Sequence, residues 1–285
     1  MQKYEINEVL NKHGLRPEKR FGQNFLIDTN ILNKMVDSAE IGEDDLIIEV
    51  GPGLGVLTKQ LAARAKRVIS IEIDKKLASV LKQELSGFSN ISLIQADAMK
   101  TDLRQIIEVA RAAEAINGVK IVANLPYNIT TPFICSCLEQ ELDVERIVVM
   151  IQKEAAERFL AKPSTKAYGV ATLTTECFAS AQLVATVPPS CFYPAPDVTS
   201  AITLFDVLPK PRIPAANRAF VFELIRAAFS TRRKTLVNCL LRSQFTKQQI
   251  IAALESVGLD ANVRGETLSL KQFVHLTNEL LPYSN

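Results

Sequence analysis

The twenty residues LIIEVGPGLGVLTKQLAARA (46–65) hold the transition from which the rest of the chain can be read. A short apolar, β-branched run, LIIEV (46–50), gives way to Gly51, Gly53 and Gly55. A helical pattern, VLTKQLAARA, then begins at Val56. Strand, glycine turn and helix in that order form the opening of a βαβ unit, and glycine lets backbone approach a ligand closely where the helix starts.

The same alternation continues downstream. RVISIEID (67–74), ISLIQAD (91–97), VKIVAN (119–124) and RIVVMIQ (146–152) read as strands. KKLASVLKQEL, LRQIIEVARAAEA and PFICSCLEQE read as the helices between them. Alternating strands and helices predict a mostly parallel, doubly wound sheet. AQLVATVPP and SAITLFDVLP add two strands, expected as an antiparallel pair at one edge. Before the sheet, residues 1–18 read as a short amphipathic helix and a turn. TNILNKMVDSAEI reads as a helix capped by Asp28 or Thr29, while KRFGQNFLID fits no periodic pattern. PKPRIPAAN (209–217) reads as a linker, and the segments after it are helical. The expected organisation is a Rossmann-like α/β catalytic domain over 1–208, with an N-terminal flap over 1–28, and a smaller all-helical domain over 209–285.

Composition narrows the class. With 47% hydrophobic residues in 285, the chain can bury a large core. No apolar window reaches the roughly 18 residues of a membrane span. MQKYEINEVLNKHG mixes acids with bases and has no apolar centre, so the cytoplasm is the expected location. Five cysteines, two histidines and no C-x-x-C argue against a zinc site and for reduced thiols; no metal is expected. Of 33 Lys/Arg and 31 Asp/Glu, 11 and 5 fall in residues 207–285, which leaves 22 and 26 for the remainder. A basic C-terminal piece on a mildly acidic body suggests a polyanion partner, although a solvated, base-rich helical surface reads the same way.

Ligands of such sheets bind beyond the carboxyl ends of the strands. Four ends carry polar or glycine residues: Glu49 to Gly55, Glu72, Asp97 and Asn124. Val56 stands where a dinucleotide fingerprint requires glycine or alanine, and no phosphate-binding lysine follows. G-x-G-x-G after Glu49, with Glu72 ending the next strand, suits a nucleoside without a pyrophosphate, namely S-adenosylmethionine. Gly51 and Gly53 would cradle it. Glu72, with Ile73 beside it, would hold the ribose diol, and Asp97, with Ala98, the adenine amine.

NLPY (124–127) faces that donor. An adenine exocyclic amine is a poor nucleophile because its lone pair is delocalised into the ring. The Asn124 side-chain carbonyl and the Leu125 backbone carbonyl would accept its two N–H groups, with Leu125 restrained by Pro126. Two acceptors favour a pyramidal nitrogen with its lone pair aimed at the methyl. Tyr127 would stack on the base to fix its plane.

Taken with KRFGQNFL, EVGPGLG, NLPYNI and FYPAPDVTS, the chain resembles the KsgA family of ribosomal RNA small-subunit adenine dimethyltransferases over essentially its whole length. The resemblance implies that Gln23, Asn24 and Leu26 close over the donor, and that Gly51, Glu72, Asp97 and Asn124 bind it. Phe192, which opens the F-x-P-x-P-x-V-x-S motif, would sandwich the flipped base; packing in the core is the other reading of this residue. The implied reaction converts two adjacent adenines, in a hairpin near the 3′ end of small-subunit rRNA, to N6,N6-dimethyladenosine. The implied partner is a pre-ribosomal particle, met late in assembly. STRRKTL (230–236) and RGETLS (264–269) look like family motifs as well. Arg232, Arg233 and Lys234 are candidates for RNA phosphate contacts. Lys19 and Arg20 would contact RNA or order the flap, and Arg264 would contact RNA or pair with Glu266. A monomer is expected. The rival readings are a large-subunit adenine methyltransferase of the macrolide-resistance type and a non-catalytic assembly factor. A nicotinamide dehydrogenase is disfavoured by Val56 and by the lack of a proton-transfer residue near NLPY.

Overall fold

The computed structural model describes residues 3–17, 23–241 and 243–283. Lys19 and Arg20, candidate RNA contacts, lie outside the described residues. Two compact units divide the chain, residues 1–156 with 180–209 and residues 157–179 with 210–285.

The first unit is built on a seven-stranded sheet. Its strands are β2 (Leu46–Val50), β3 (Arg67–Glu72), β4 (Ile91–Gln95), β5 (Val119–Asn124), β6 (Arg146–Gln152), β7 (Ala179–Val187) and β9 (Ser200–Val207), in the order β4-β3-β2-β5-β6-β9-β7. The first five are parallel. β9 runs antiparallel to β6, with Met150 opposite Ile202 and Gln152 opposite Ser200. The two late strands therefore lie side by side at one edge, as the sequence predicts. A separate two-residue ladder joins β1 (Phe25–Leu26) to β8 (Phe192–Tyr193), placing Phe25 opposite Tyr193 and Leu26 opposite Phe192.

Strands β2, β3, β5, β6 and β9 form where they do because their apolar, largely β-branched runs are buried on both faces. Ile47, Val68, Val122, Val148, Ile202 and Leu204 pack in one layer with Ile31, Leu32, Met35 and Val36 of α2 (Thr29–Ser38) and Leu57 and Leu61 of α3 (Val56–Ala62). The alternate residues Ile48, Ile121 and Val149 are equally buried, so the second face is covered too. Asp28 starts α2 by accepting the amides of Asn30 and Ile31, and Asp74 likewise caps α4 (Lys75–Glu84) through the Lys76 amide. Ahead of the sheet, Ile6 and Leu10 of a short helix, Lys3–Lys12, are buried with Phe25, Leu54 and Leu77.

The strand order reverses between β2 and β5, since β3 and β4 lie to one side and β6 and β9 to the other. That switch point brings the end of β2 beside the end of β5 and opens a crevice at their carboxyl ends.

The second unit is helical. It contains α8 (Val170–Phe178), α9 (Ala215–Phe229), α11 (Lys247–Ser256) and α12 (Leu270–Leu280). The sequence division at 208 falls beside the break at residue 209 but assigns 157–179 to the first unit. That segment clusters with the second because its aromatics have their partners there. Phe178 stacks on Phe222 at 6.0 Å, and Tyr168 meets Phe229 edge-on at 6.0 Å. The Tyr168 hydroxyl also donates to the Leu268 carbonyl at 2.8 Å.

Candidate active site

A single cleft at the switch point is lined by Gln23, Asn24 and Leu26, by Glu49, Gly51 and Gly53, by Glu72, Ile73, Asp97 and Ala98, and by Asn124, Leu125, Pro126 and Tyr127. Residues 102 positions apart in the chain, Asn24 and Pro126, thus share one wall.

The glycine turn is shaped by what sits against it. Gly53 has φ +61°, and a Cβ there would meet the Phe25 ring at 3.2 Å. Gly51 has φ +68°, and a Cβ there would meet Pro126 Cδ at 3.4 Å. A side chain at Gly53 would therefore press on the Phe25 ring of the flap, whereas one at Gly51 would rest in ordinary contact with Pro126 and cost chiefly through its positive φ.

Two buried carboxylates lie below it. The β2–β3 register puts Glu49 beside Ser70. Ser70 Oγ donates to Glu49 Oε2 at 2.8 Å, and Thr58 Oγ1 donates to the same oxygen at 2.6 Å. Glu49 Oε1 is buried without a hydrogen-bond partner. Burial raises the Glu49 carboxyl to about 7, against the lowering effect of the two hydroxyls. Glu72 is also raised to about 7, mainly by burial, while the amides of Asp74, Gly53 and Ile73 oppose the shift. The Asp74 amide lies 2.8 Å from Glu72 Oε1. An orphaned buried acceptor and a second buried carboxylate, beneath a turn stripped of side chains, fit a ligand rich in N–H and O–H donors. Asp97, on the loop after β4, accepts the Met99 amide at 3.0 Å and stays partly exposed at the cleft.

Besides its short ladder to Phe192 and Tyr193, two side-chain hydrogen bonds help hold the flap. Gln23 Nε2 donates to Asp74 Oδ2 at 3.0 Å, and Asn124 Nδ2 donates to the Asn24 carbonyl at 3.1 Å. A carbonyl only accepts, so the second bond fixes the orientation of the Asn124 amide: its nitrogen is turned to the flap, and its oxygen remains the acceptor. Leu125, 1% exposed, is anchored by its amide to the Met150 carbonyl at 3.1 Å. The Tyr127 hydroxyl shares a 2.7 Å hydrogen bond with Ser200 Oγ. Burial raises the Tyr127 phenol, so it keeps its proton.

Phe192 is elsewhere. It is 3% exposed and packs in the core layer with Leu26, Leu32 and Cys191; Leu26 and Leu32 also reach the cleft, but Phe192 does not line it. Its pairing opposite Leu26 in the two-residue ladder explains this, because both side chains then enter the same apolar layer. Of the other candidates, Arg232 is committed within its own unit. Its guanidinium donates to Glu266 Oε2 at 3.0 and 3.2 Å and to the Lys166 and Thr165 carbonyls. Arg232, not Arg264, is thus the partner of Glu266. Arg233, Lys234 and Arg264 are exposed. Sequence reasoning missed Asp74, Phe25 and the tyrosine-holding role of Ser200. Two of these left a trace, Phe25 inside the quoted KRFGQNFL segment and Ser200 as the final residue of F-x-P-x-P-x-V-x-S.

Among the described residues, no group of three or more His, Cys, Asp or Glu is placed to hold a metal ion. Among the same described residues, no helix is long and apolar enough to cross a membrane.

Comparison with known proteins gives a consistent picture. Residues 14–281 match the model of the family described as ribosomal RNA adenine dimethylase. The chain is 40% identical over 280 residues to ribosomal RNA small subunit methyltransferase A of Clostridium acetobutylicum, covering 98% of this chain and 99% of that one. It is 43% identical over 279 residues to the protein of the same name from Geobacillus thermodenitrificans, covering 96% and 94%. Among solved structures, it is similar to a dimethyladenosine transferase from Plasmodium falciparum, with a TM-score of 0.74, 27% identity, and coverage of 90% of this chain and 98% of that one. It is also similar to the 23S rRNA methyltransferase ErmE, with a TM-score of 0.67, 28% identity, and coverage of 90% and 99%.

Proposed function

Because the chain belongs to the ribosomal RNA adenine dimethylase family, we propose that it is the S-adenosylmethionine-dependent enzyme that dimethylates adenines of small-subunit rRNA. We further propose that its targets are two adjacent adenines in a hairpin near the 3′ end, methylated at N6. In this reading it acts as a monomer on a pre-ribosomal particle late in assembly, in the cytoplasm.

The observation that carries the reading is the fixed amide of Asn124, held at the end of β5 with its oxygen as an acceptor beside the glycine turn. S-Adenosylmethionine supplies an electrophilic methyl on a sulfonium, whose sulfur departs as a neutral thioether. Glu72 accepts from the ribose hydroxyls, and Asp97 accepts from the donor's adenine amine. Glu49 Oε1 offers a further buried acceptor, and Gln23, Asn24 and Leu26 close the cleft and exclude water. On the target side, Asn124 Oδ1 and the Leu125 carbonyl take the two N–H groups of the amine and draw its lone pair out of conjugation. Tyr127 lies against the base and sets its plane. Once methylated, the nitrogen is acidic and gives its proton to water, so no strong general base is needed. Arg233 and Lys234 supply phosphate contacts, which position RNA without reading its sequence.

Identities of 40–43% to small-subunit enzymes, against 28% to ErmE, support the small-subunit assignment over the large-subunit one. The test is to incubate the protein and labelled S-adenosylmethionine with small subunits lacking the modification, with large subunits and duplex DNA alongside. The RNA is then digested and analysed by mass spectrometry. Dimethyladenosine only from small subunits is expected. Label in large subunits would transfer the assignment to the macrolide-resistance type, and donor binding without transfer would leave a binding factor.

A further inference from the structure

We propose that Ser200 is a positioning residue for this reaction: it pins the Tyr127 ring, and the pin matters more for the second methyl than for the first. The inference rests on the proposed roles of Asn124, Leu125 and Tyr127 in holding the target amine.

Tyr127 stands on the turn between β5 and the next helix, Thr130–Glu139, and is half-buried at the cleft. A ring on such a turn would swing about its first two side-chain torsions. Its hydroxyl is instead held at 2.7 Å by Ser200 Oγ, 73 residues later in the chain. Ser200 is a rigid anchor. It is fully buried, opens β9 and sits opposite Gln152 of β6, and the preceding carbonyl, of Thr199, accepts the Lys153 amide at 3.0 Å. Holding the ring by its tip leaves its face for the base. Ser200 touches no reacting atom in this arrangement. It acts through Tyr127.

The two transfers place different demands on that ring. In each, the adenine nitrogen forms a bond to the methyl carbon as the carbon–sulfur bond breaks. Sulfur keeps the electron pair, and the nitrogen's surplus proton passes to water. Before the first transfer the amine has two N–H groups, and both acceptors, Asn124 Oδ1 and the Leu125 carbonyl, hold it. Before the second it has one N–H and a methyl group, so one of those hydrogen bonds cannot form. The nitrogen must still present its lone pair to the donor. Orientation then depends on stacking against Tyr127 in a way that it did not before. Loosening the ring should slow the second step selectively, and N6-monomethyladenosine should accumulate.

The experiment uses full-length Ser200→Ala, Tyr127→Phe and the double variant. Each is measured in single turnover on small subunits lacking the modification, with mono- and dimethyladenosine quantified over time and donor affinity measured by calorimetry. Tyr127→Phe keeps the ring and removes only the tether, so it carries the test even where Ser200→Ala fails to fold. Each single variant should slow the second transfer about fivefold to tenfold, the worth of one net hydrogen bond, and the first by clearly less. The double variant should be no slower than either single one, and donor affinity should stay within twofold. An unchanged ratio of mono- to dimethyladenosine in Tyr127→Phe, or additive losses in the double variant, would overturn the proposal. Wild-type protein that forms no dimethyladenosine would instead overturn the reading of the site beneath it.

Discussion

Asn124 and Asn24 lie 100 residues apart in the chain, yet the side-chain nitrogen of one is 3.1 Å from the backbone oxygen of the other. This contact joins the segment that closes over the donor to the residue proposed to activate the acceptor. When the segment is in place, the Asn124 amide is oriented with its oxygen free to accept. When the segment is displaced, nothing in that contact holds the amide. Donor enclosure and acceptor activation are thereby parts of one arrangement, and a defect in the flap should cost turnover as well as donor affinity.

The two raised carboxyls give pH a definite sign. Burial holds Glu49 and Glu72 near 7, above the ordinary carboxylate value of 4.5. A carboxyl raised by folding stabilises the protein fully below about pH 4.5, and that contribution is lost as pH rises through about 7. The donor-free protein should therefore lose melting temperature between those limits. Donor binding runs the other way, because ribose hydroxyls donate to an ionised Glu72. Calorimetry at pH 6 and pH 8 should show roughly tenfold tighter donor binding at the higher pH. Glu72→Gln should bind more weakly, with that dependence flattened.

Gly53 and Gly14 form a matched pair. Both have φ +61°, but a Cβ at Gly53 would press on Phe25 at 3.2 Å whereas one at Gly14 would meet nothing within 4 Å. Alanine at either position should cost about 1–2 kcal/mol for the left-handed backbone. Only Gly53→Ala should also displace the flap and lower donor affinity. Thermal melts and donor titrations of the two variants, run side by side, separate backbone strain from contact.

At the opposite end of the sheet, Lys120 is buried against Asp45 and lies 3.7 Å from Glu145 Oε2, with Lys120 and Asp45 side chains only 9% and 8% exposed. Asp45 also accepts the Gly42 amide at 2.7 Å. Lys120→Ala would leave a buried carboxylate without its cation, a loss of about 3–5 kcal/mol. Chemical denaturation should show that loss, while the folded fraction methylates RNA at the wild-type rate.

The three basic residues at 232–234 should separate into two behaviours. Arg232→Ala breaks the contacts to Glu266, Thr165 and Lys166 and should lower stability. Arg233 and Lys234 are exposed, and replacing either by alanine should leave the melt unchanged. Each of those two changes should weaken RNA binding and reduce the slope of log affinity against log salt by about 1.

The strands and the donor-facing residues were legible because each depends on short-range pattern. LIIEV, RVISIE and VKIVAN announce buried parallel strands, and Glu49, Gly51, Glu72, Asp97 and Asn124 fall at or just beyond the strand ends, where such sheets bind ligands. What escaped depends on long-range pairing. The ladder of Phe25 and Leu26 with Tyr193 and Phe192 has two residues per strand, too few for alternation to be seen. Its register sends Phe192 into the core, an orientation no local signal specifies. The packing of Tyr168 and Phe178 against Phe229 and Phe222 likewise assigns 157–179 to the second unit through partners more than forty residues away. Glu266 has an arginine two residues away at 264, yet pairs with Arg232 from a different turn.

The most direct test of the central claim, that Asn124 activates the target amine, is single-turnover transfer by Asn124→Ala with donor pre-bound at saturation. Unmodified small subunits are the substrate, and donor affinity is measured in parallel. The fixed acceptor geometry predicts a loss of about 100-fold to 1,000-fold in the rate of transfer, the range set by removing one preorganised hydrogen-bonding group, with a much smaller change in donor affinity. Transfer at near the wild-type rate would contradict it and would move amine activation to other residues of the cleft.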